Sequence, residues 1–246
     1  MSPSHPRSWT RRSLRKLSNW VIYHYRITLR PIVSIEGVRV RVGRHMSRRV
    51  ERAISKGGYE RDELRLIGMV LSPSDVVLDV GAGLGVISAY CAKRLGSSRV
   101  FAFEANPDLE PSIRETYALN GVEPTLEMSA IRATAGRVTL YRTKHAFSSS
   151  VIKRNAEAIP IEVPGKALSY VVEKFRPTLL IVDVQGAESE LFDQAQLPGV
   201  TKIVLELHER VIGEAKARRV RGALITLGFR EDRGLSSREH LVLRRE

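Results

Sequence analysis

"VVLDVGAGLGVIS", residues 76–88, runs from an apolar stretch suited to a buried strand, through Gly81, Gly83 and Gly85, into residues suited to a helix. Glycines keep such a turn tight and let a ligand approach the backbone, while the helix that follows presents free N–H groups. The turn therefore suits a nucleotide-like ligand. Val86 stands where a dinucleotide-binding turn carries its third glycine or alanine, which places a nicotinamide-dependent dehydrogenase last among the functional readings. Glu104 closes the next apolar stretch, about twenty residues beyond the glycines, where an acid can accept hydrogen bonds from both ribose hydroxyls.

Outward from this turn the chain alternates between strand-like and helix-like stretches. Before it, "SIEGVRVRVG" (34–43) reads as a strand or hairpin and "YERDELRLIGMVLS" (59–72) as an amphipathic helix stopped by Pro73. After it come helix "GVISAYCAKRLG" (85–96), strand "RVFAFEA" (99–105), helix "DLEPSIRETYALNG" (108–121) and strand "PTLEMSAI" (124–131). The alternation pauses over 134–165, where "GRVTLYRT" and "IPIEVPG" read as extra strands around the polar loop "KHAFSSS". It resumes with helix "LSYVVEKF", strand "TLLIVDV", helix "AESELFDQA", strand "TKIVLEL", a helix around 213–227, and a closing pair "GFREDR" and "HLVLRR". Repeated strand–helix units with apolar strands predict an α/β fold, a mostly parallel sheet covered by helices on both faces.

In such a sheet the ligand crevice lies outside the carboxyl ends of the strands. Four predicted strand ends carry polar groups: Asp79, Glu104, Asp183, and Glu206 with His208. One carboxylate there caps the next helix as readily as it serves a site, but four at corresponding ends point to a site.

Composition narrows the class. A chain of 246 residues with 43% apolar residues can bury one good core. Cys91 is the single cysteine, so no intramolecular disulfide framework exists, and no histidine stands at zinc-ligand spacing from it or from another. Two acids at strand ends predict a metal poorly, and none is expected. The formal charge of +13 is unevenly spread, because residues 1–49 hold twelve Lys or Arg against the single acid Glu36. The remainder carries 28 basic and 26 acidic residues, a balance of +2, so the fold behind the tail need not touch nucleic acid.

Within the tail, Leu14, Leu17, Val21 and Tyr25 fall at helical spacing beside Arg15 and Lys16. A basic amphipathic helix over 11–30 suits an anionic membrane surface, and equally suits docking on its own domain. An organelle transit peptide ranks third. The expected division is a basic segment, 1–35, and a catalytic domain, 36–246, in a cytoplasmic protein whose tail can contact the inner membrane surface.

Taken together, "GGYERDEL", "SDVVLDVGAGLGVIS", "FAFEANPD", "ALNG", the Ser-rich loop 148–150, "DVQGAESELF" and "VLELHE" resemble the FkbM-type methyltransferases, class I enzymes that use S-adenosylmethionine. The resemblance covers roughly residues 57–210 in order and spacing. It implies a Rossmann-like class I methyltransferase fold, a mostly parallel seven-stranded sheet with an antiparallel C-terminal hairpin, and O-methylation of a hydroxyl on a sugar, glycolipid or secondary metabolite.

Carried onto this chain, the resemblance assigns Asp79, Gly81, Ala82, Gly83 and Gly85 to the methionine and ribose side of the cofactor and Glu104 to the ribose. Ala105 and Asn106 would flank the adenine, with Ser129 and Ala130 on its far face, and Tyr59 and Glu60 would close the pocket. Asp183 would lie nearest the transferring methyl. His208 leads as the base that takes the acceptor's proton, with Asp183 as the alternative base or as the group that orients the acceptor. His145, Ser148, Glu188 and Glu206 would face the acceptor. Gln185 stands where many members of that family have Glu. Competing readings are an RNA methyltransferase with residues 1–49 as a phosphate-tracking arm, and a non-catalytic membrane-surface adaptor. The turn after Asp183 lacks an Asn-Pro-Pro-Tyr-like base-reading sequence, which disfavours nucleic acid, and the intact glycine turn with Glu104 disfavours the adaptor.

Overall fold

The computed structural model describes residues 32–43, 46, 48–142 and 157–245. A seven-stranded sheet forms its centre. Its five parallel strands are β3 (Val77–Val80), β4 (Val100–Glu104), β5 (Thr125–Met128), β9 (Leu179–Val182) and β10 (Lys202–Glu206). The closing strands β11 (Arg230–Glu231) and β12 (His240–Arg244) pair antiparallel, and β12 runs antiparallel to β10. The order is β11-β12-β10-β9-β3-β4-β5, so the chain reverses direction across the sheet between β3 and β9. This is the mostly parallel sheet with an antiparallel C-terminal hairpin that the resemblance implied.

Alternation along the strands buries both faces. Val77, Leu179, Ile181, Val204 and Val242 pack on one side against α2 (Arg61–Val70), α3 (Val86–Leu95) and α4 (Glu110–Asn120). Leu78, Val80, Leu180, Val182, Ile203 and Leu205 pack on the other against α5 (Leu168–Phe175), the single turn α6 (Glu188–Leu191) and, beyond the short α7 (Glu209–Ile212), α8 (Glu214–Thr226). A sheet covered on both faces requires apolar residues at consecutive positions, which is why these strands read as unbroken runs. The helix expected over 187–195 contracts to α6.

Two additions flank this core. The paused region forms a small sheet, β6 (Ala130–Arg132), β8 (Ile159–Ala167) and β7 (Gly136–Arg142) in that order. Before α1 (Arg48–Ser55), β1 (Ile32–Ile35) and β2 (Val38–Arg41) form a hairpin. Its two-residue turn has positive φ at both Glu36 (45°) and Gly37 (84°), the geometry that matches strand twist in tight hairpins. The hairpin is tied to α4 by Asn120, whose Oδ1 accepts from Arg39 N at 2.9 Å and whose Nδ2 donates to Arg39 O at 2.8 Å. The boundary expected after residue 35 therefore falls at the turn of a hairpin whose Ile35 and Val38 are both core residues. The amphipathic segment 11–30 lies outside the described residues. No helix among them is long and apolar enough to cross a membrane.

The two ends of the parallel strands differ in charge balance. At the amino end the buried Asp75 is neutralised by Lys202, Nζ to Oδ2 2.5 Å, and accepts from Thr178 Oγ1 at 2.7 Å. At the carboxyl end several carboxylates gather with two imidazoles, those of His208 and His240, among them. That end holds the site.

Candidate active site

The glycine turn joins β3 to α3 where the strand order reverses. Gly81, at φ 93°, lies against the end of β9, and a Cβ there would sit 1.8 Å from the backbone oxygen of Asp183. Gly83, at φ 57°, lies beneath Tyr59 and Glu60; a Cβ there would meet the Tyr59 hydroxyl at 3.1 Å and Glu60 Oε1 at 3.5 Å. Gly85 serves packing, since a Cβ would meet Ile113 Cγ2 and Tyr117 Cε1, both at 2.8 Å, so its absence lets α3 approach α4. The expectation that Gly85 and Ala82 line the ligand site is corrected accordingly, for neither borders the cavity described next.

A cavity of about 790 Å³ opens at this edge, within the roughly 300–1,000 Å³ typical of small-molecule sites. Tyr59, Glu60, Gly81, Gly83, Glu104, Ala105, Asn106, Ser129 and Ala130 line one part, with Asp183, Glu206 and His208 at another. Glu104 is aimed by two backbone donors: Gly83 N to Oε2 at 2.9 Å and Asn106 N to Oε1 at 2.8 Å. These bonds leave lone pairs free on both oxygens for further donors. Ser129 Oγ and Glu60 Oε2 are buried without a hydrogen-bond partner among the described residues. A turn that a Cβ would fill, an aimed carboxylate beside it and orphaned polar atoms around it together fit a nucleoside with ribose hydroxyls.

Asp79 departs from its expected place. It is buried behind the turn, its Oδ2 has no hydrogen-bond partner among the described residues, and it does not line the cavity.

The other part of the cavity is built around His208. Its Nε2 lies 3.5 Å from Glu206 Oε1 and 3.7 Å from Asp183 Oδ1, while Nδ1 lies 3.2 Å from Glu188 Oε1. Glu188 is fully buried, accepts from His208 N at 2.8 Å and from Gly186 N at 2.7 Å, and does not border the cavity. It was expected to face the acceptor; instead it lies behind the imidazole, where its carboxylate anchors the backbone N–H of His208 and leaves Nε2 toward the cavity. Burial opposes charge on His208, but the Glu188 contact and the Asp183 and Glu206 carboxylates raise its pKa above the usual value. Asp183 is raised by burial, with His208 and Gln185 acting against the rise. Gln185 Nε2 donates to Asp183 Oδ1 at 3.0 Å. Gln185 sits at φ 52°, a left-handed conformation that non-glycine residues adopt at a cost and that recurs at functional sites. Glu206 is pushed up to about 7 by burial and by Asp183.

Several lining residues were not expected from the sequence. Glu63, in the first turn of α2, is 3% exposed and borders the cavity. It occupies a core position with Leu64, Ile67 and Val70, and a carboxylate within that apolar stripe was the signal available. His240 and Arg238 arrive from the start of β12 and the loop before it. Nothing in their local sequence points to a site. His145 and Ser148 lie outside the described residues.

The protonation of Glu104 sets a pH dependence. Burial pushes it up to about 7, against the backbone donors of Asn106 and Gly83, with Asp183 adding to the rise. An unfolded glutamate titrates near 4.3, so the folded chain binds the extra proton and this carboxylate costs stability as pH rises through 7. A ligand that needs the ionised form must expel that proton at lower pH. The Kd for S-adenosylmethionine is expected to rise about tenfold between pH 8 and pH 6, because the ionised fraction falls by that factor. Calorimetry across that range checks this, and Glu104→Gln should flatten the profile while weakening binding at every pH.

The family described as methyltransferase FkbM domain matches residues 79–231. Among curated proteins, AMB antimetabolite synthetase AmbE of Pseudomonas aeruginosa is 28% identical over 65% of this chain and 9% of its own length. Ribosomal RNA small subunit methyltransferase A of Pelotomaculum thermopropionicum is 30% identical over 47% of this chain and 39% of its own length. Methyltransferase sdnD of Sordaria araneosa is 27% identical, covering 58% and 67%. The chain thus spans less than half of the first two of these relatives. Among solved structures, the Pyrococcus abyssi tRNA (uracil-54, C5)-methyltransferase in complex with S-adenosyl-L-homocysteine is 14% identical, with a TM-score of 0.49 over 87% of this chain and 43% of that one.

Proposed function

From the premise that this chain belongs to the FkbM methyltransferase family and is an S-adenosylmethionine-dependent methyltransferase, we propose that it methylates a hydroxyl of a sugar, glycolipid or secondary metabolite. The observation that carries this reading is His208, whose Nε2 faces the cavity between Asp183 and Glu206 while Glu188 holds Nδ1 from behind. A hydroxyl acceptor must lose its proton as it attacks, and an imidazole poised in this way accepts it.

When bound, the cofactor supplies a methyl group already activated on a sulfonium. Gly81 and Gly83 leave room for it, Glu104 accepts from its ribose hydroxyls, and Tyr59 with Glu60 closes over the turn. Asp183 opposes the sulfonium charge and, with Glu206, orients the acceptor. Holding the acceptor oxygen in line accounts for much of the rate, so positioning matters as much as the base.

The charge of the lining favours a neutral acceptor. Glu60, Asp62, Glu63, Glu104, Asp183, Glu206, Glu209 and Glu239 border the cavity against Arg61, Arg210 and Arg238. Carboxylates around the reacting end repel a phosphate backbone. The test is methyl transfer from labelled S-adenosylmethionine to a panel of glycosides, lipid-linked sugars and hydroxylated metabolites, with total RNA alongside. Alkali-stable label on a hydroxyl is expected; label confined to RNA would overturn the proposal.

The basic segment is proposed to bring the enzyme to anionic membranes carrying such acceptors. Because β1 begins at Ile32, removal of residues 1–30 spares the hairpin. That deletion is expected to abolish sedimentation with phosphatidylserine vesicles at low salt without changing cofactor affinity. Equal sedimentation of both chains would remove this role.

A further inference from the structure

A second constellation borders the same cavity. A carboxylate oxygen of Glu63, a carboxylate oxygen of Glu206 and a ring nitrogen of His240 all lie within 4.8 Å of one another. Three elements bring them together. Glu206 and His240 are directly opposed in the antiparallel pairing of β10 with β12, so their side chains share a face of the sheet. Glu63 reaches them from the first turn of α2.

We propose that Glu63, Glu206 and His240 form a binding site for a divalent transition metal ion beside the base. Glu63 is the independent observation. It is 97% buried by its 3% exposure, and its Oε1 has no hydrogen-bond partner among the described residues. A buried carboxylate oxygen without a donor costs free energy, and among the described residues the contacts of Glu63 supply none. A cation held by three ligands satisfies it. The neighbouring trio of Asp183, Glu206 and His208 also falls within 4.8 Å and shares Glu206 with this one, but all three of its residues are only partly buried and Asp183 there already accepts from Gln185 Nε2 at 3.0 Å. No metal is expected from the sequence, because Asp183 and Glu206 alone predict one poorly; Glu63 and His240 are donors that only the folded chain adds.

Two carboxylates and an imidazole suit Mn²⁺, Fe²⁺ or Zn²⁺ better than all-oxygen calcium sites. Three protein ligands leave open positions on the ion. Those positions suit an acceptor with paired oxygens, such as the vicinal hydroxyls of a sugar, and polarisation of one oxygen by the ion would ease removal of its proton by His208. That use of the ion rests on the O-methylation proposed above. Ion binding does not, so a failed acceptor screen and a failed metal titration are distinguishable.

The experiment is calorimetric titration of Mn²⁺, and separately of Zn²⁺, into the full chain after chelation and desalting. One ion per chain is expected, with Glu63→Gln and His240→Ala each weakening it at least about tenfold, or 1.4 kcal/mol. His208→Asn should leave binding within about twofold. Should Glu63→Gln fail to fold, His240→Ala carries the test, since its side chain is only partly buried at the start of β12. No binding of either ion by the folded parent chain would overturn the proposal. So would binding that survives His240→Ala and is lost in His208→Asn.

Discussion

A Gly81→Ala chain is expected not to reach the native fold. The added methyl would lie 1.8 Å from the Asp183 carbonyl oxygen and 2.7 Å from its carbon, and both are backbone atoms. Neither can rotate away. Gly81 N is bonded to Phe103 O at 2.8 Å and Asp183 N to Val80 O at 2.9 Å, so relief requires separating β3 from β9 or β4 in the middle of the sheet. The φ of 93° adds the strain of a side chain in a conformation that glycine alone adopts easily. The loss should exceed about 4 kcal/mol, the level reserved for changes that break a core feature. Gly121→Ala is the control: its φ of 64° is also positive, but nothing lies within 4 Å of the added methyl, so only about 1 kcal/mol should be lost. Urea unfolding of both variants separates the two causes. Comparable midpoints would mean that the close approach of β9 to the turn is not a structural requirement.

His208→Asn should lower kcat by about 10²–10⁴, the usual range for loss of a positioned general base, while the Kd for S-adenosylmethionine stays within about twofold. Asparagine keeps a backbone N–H for Glu188, so the loop after β10 has a means of staying in place. The effect then reports proton removal rather than misfolding. With the acceptor beside the imidazole as proposed, its KM should change less than kcat. A kcat within threefold of the parent would transfer the base role to Asp183, the other candidate at Nε2, and Asp183→Asn would then show the larger loss.

The strands, their order of appearance and the crevice at their carboxyl ends were legible in the sequence because each depends on local pattern. Apolar runs of strand length, glycines after β3 and a carboxylate at the end of β4 need only their neighbours in the chain to be recognised. Residues whose role depends on direction were harder. Asp79 and Glu188 share the composition expected of site residues, yet both side chains are buried away from the cavity, Glu188 against the back of His208. Adjacent positions at a strand end point to opposite sides, and sequence spacing alone does not say which side a following loop selects.

What the sequence by itself determined is the α/β alternation, the glycine turn with a carboxylate at the end of the next strand, and the family, all carried by contiguous stretches. What only the tertiary structure decided is the company each carboxylate keeps. Glu63, Glu206 and His240 are separated by more than a hundred residues of chain from first to last, and they meet because α2 packs at the edge where β10 and β12 pair. Proton affinity, metal affinity and base strength are properties of such distances and of the water excluded between them, so they come into being only when the sheet closes.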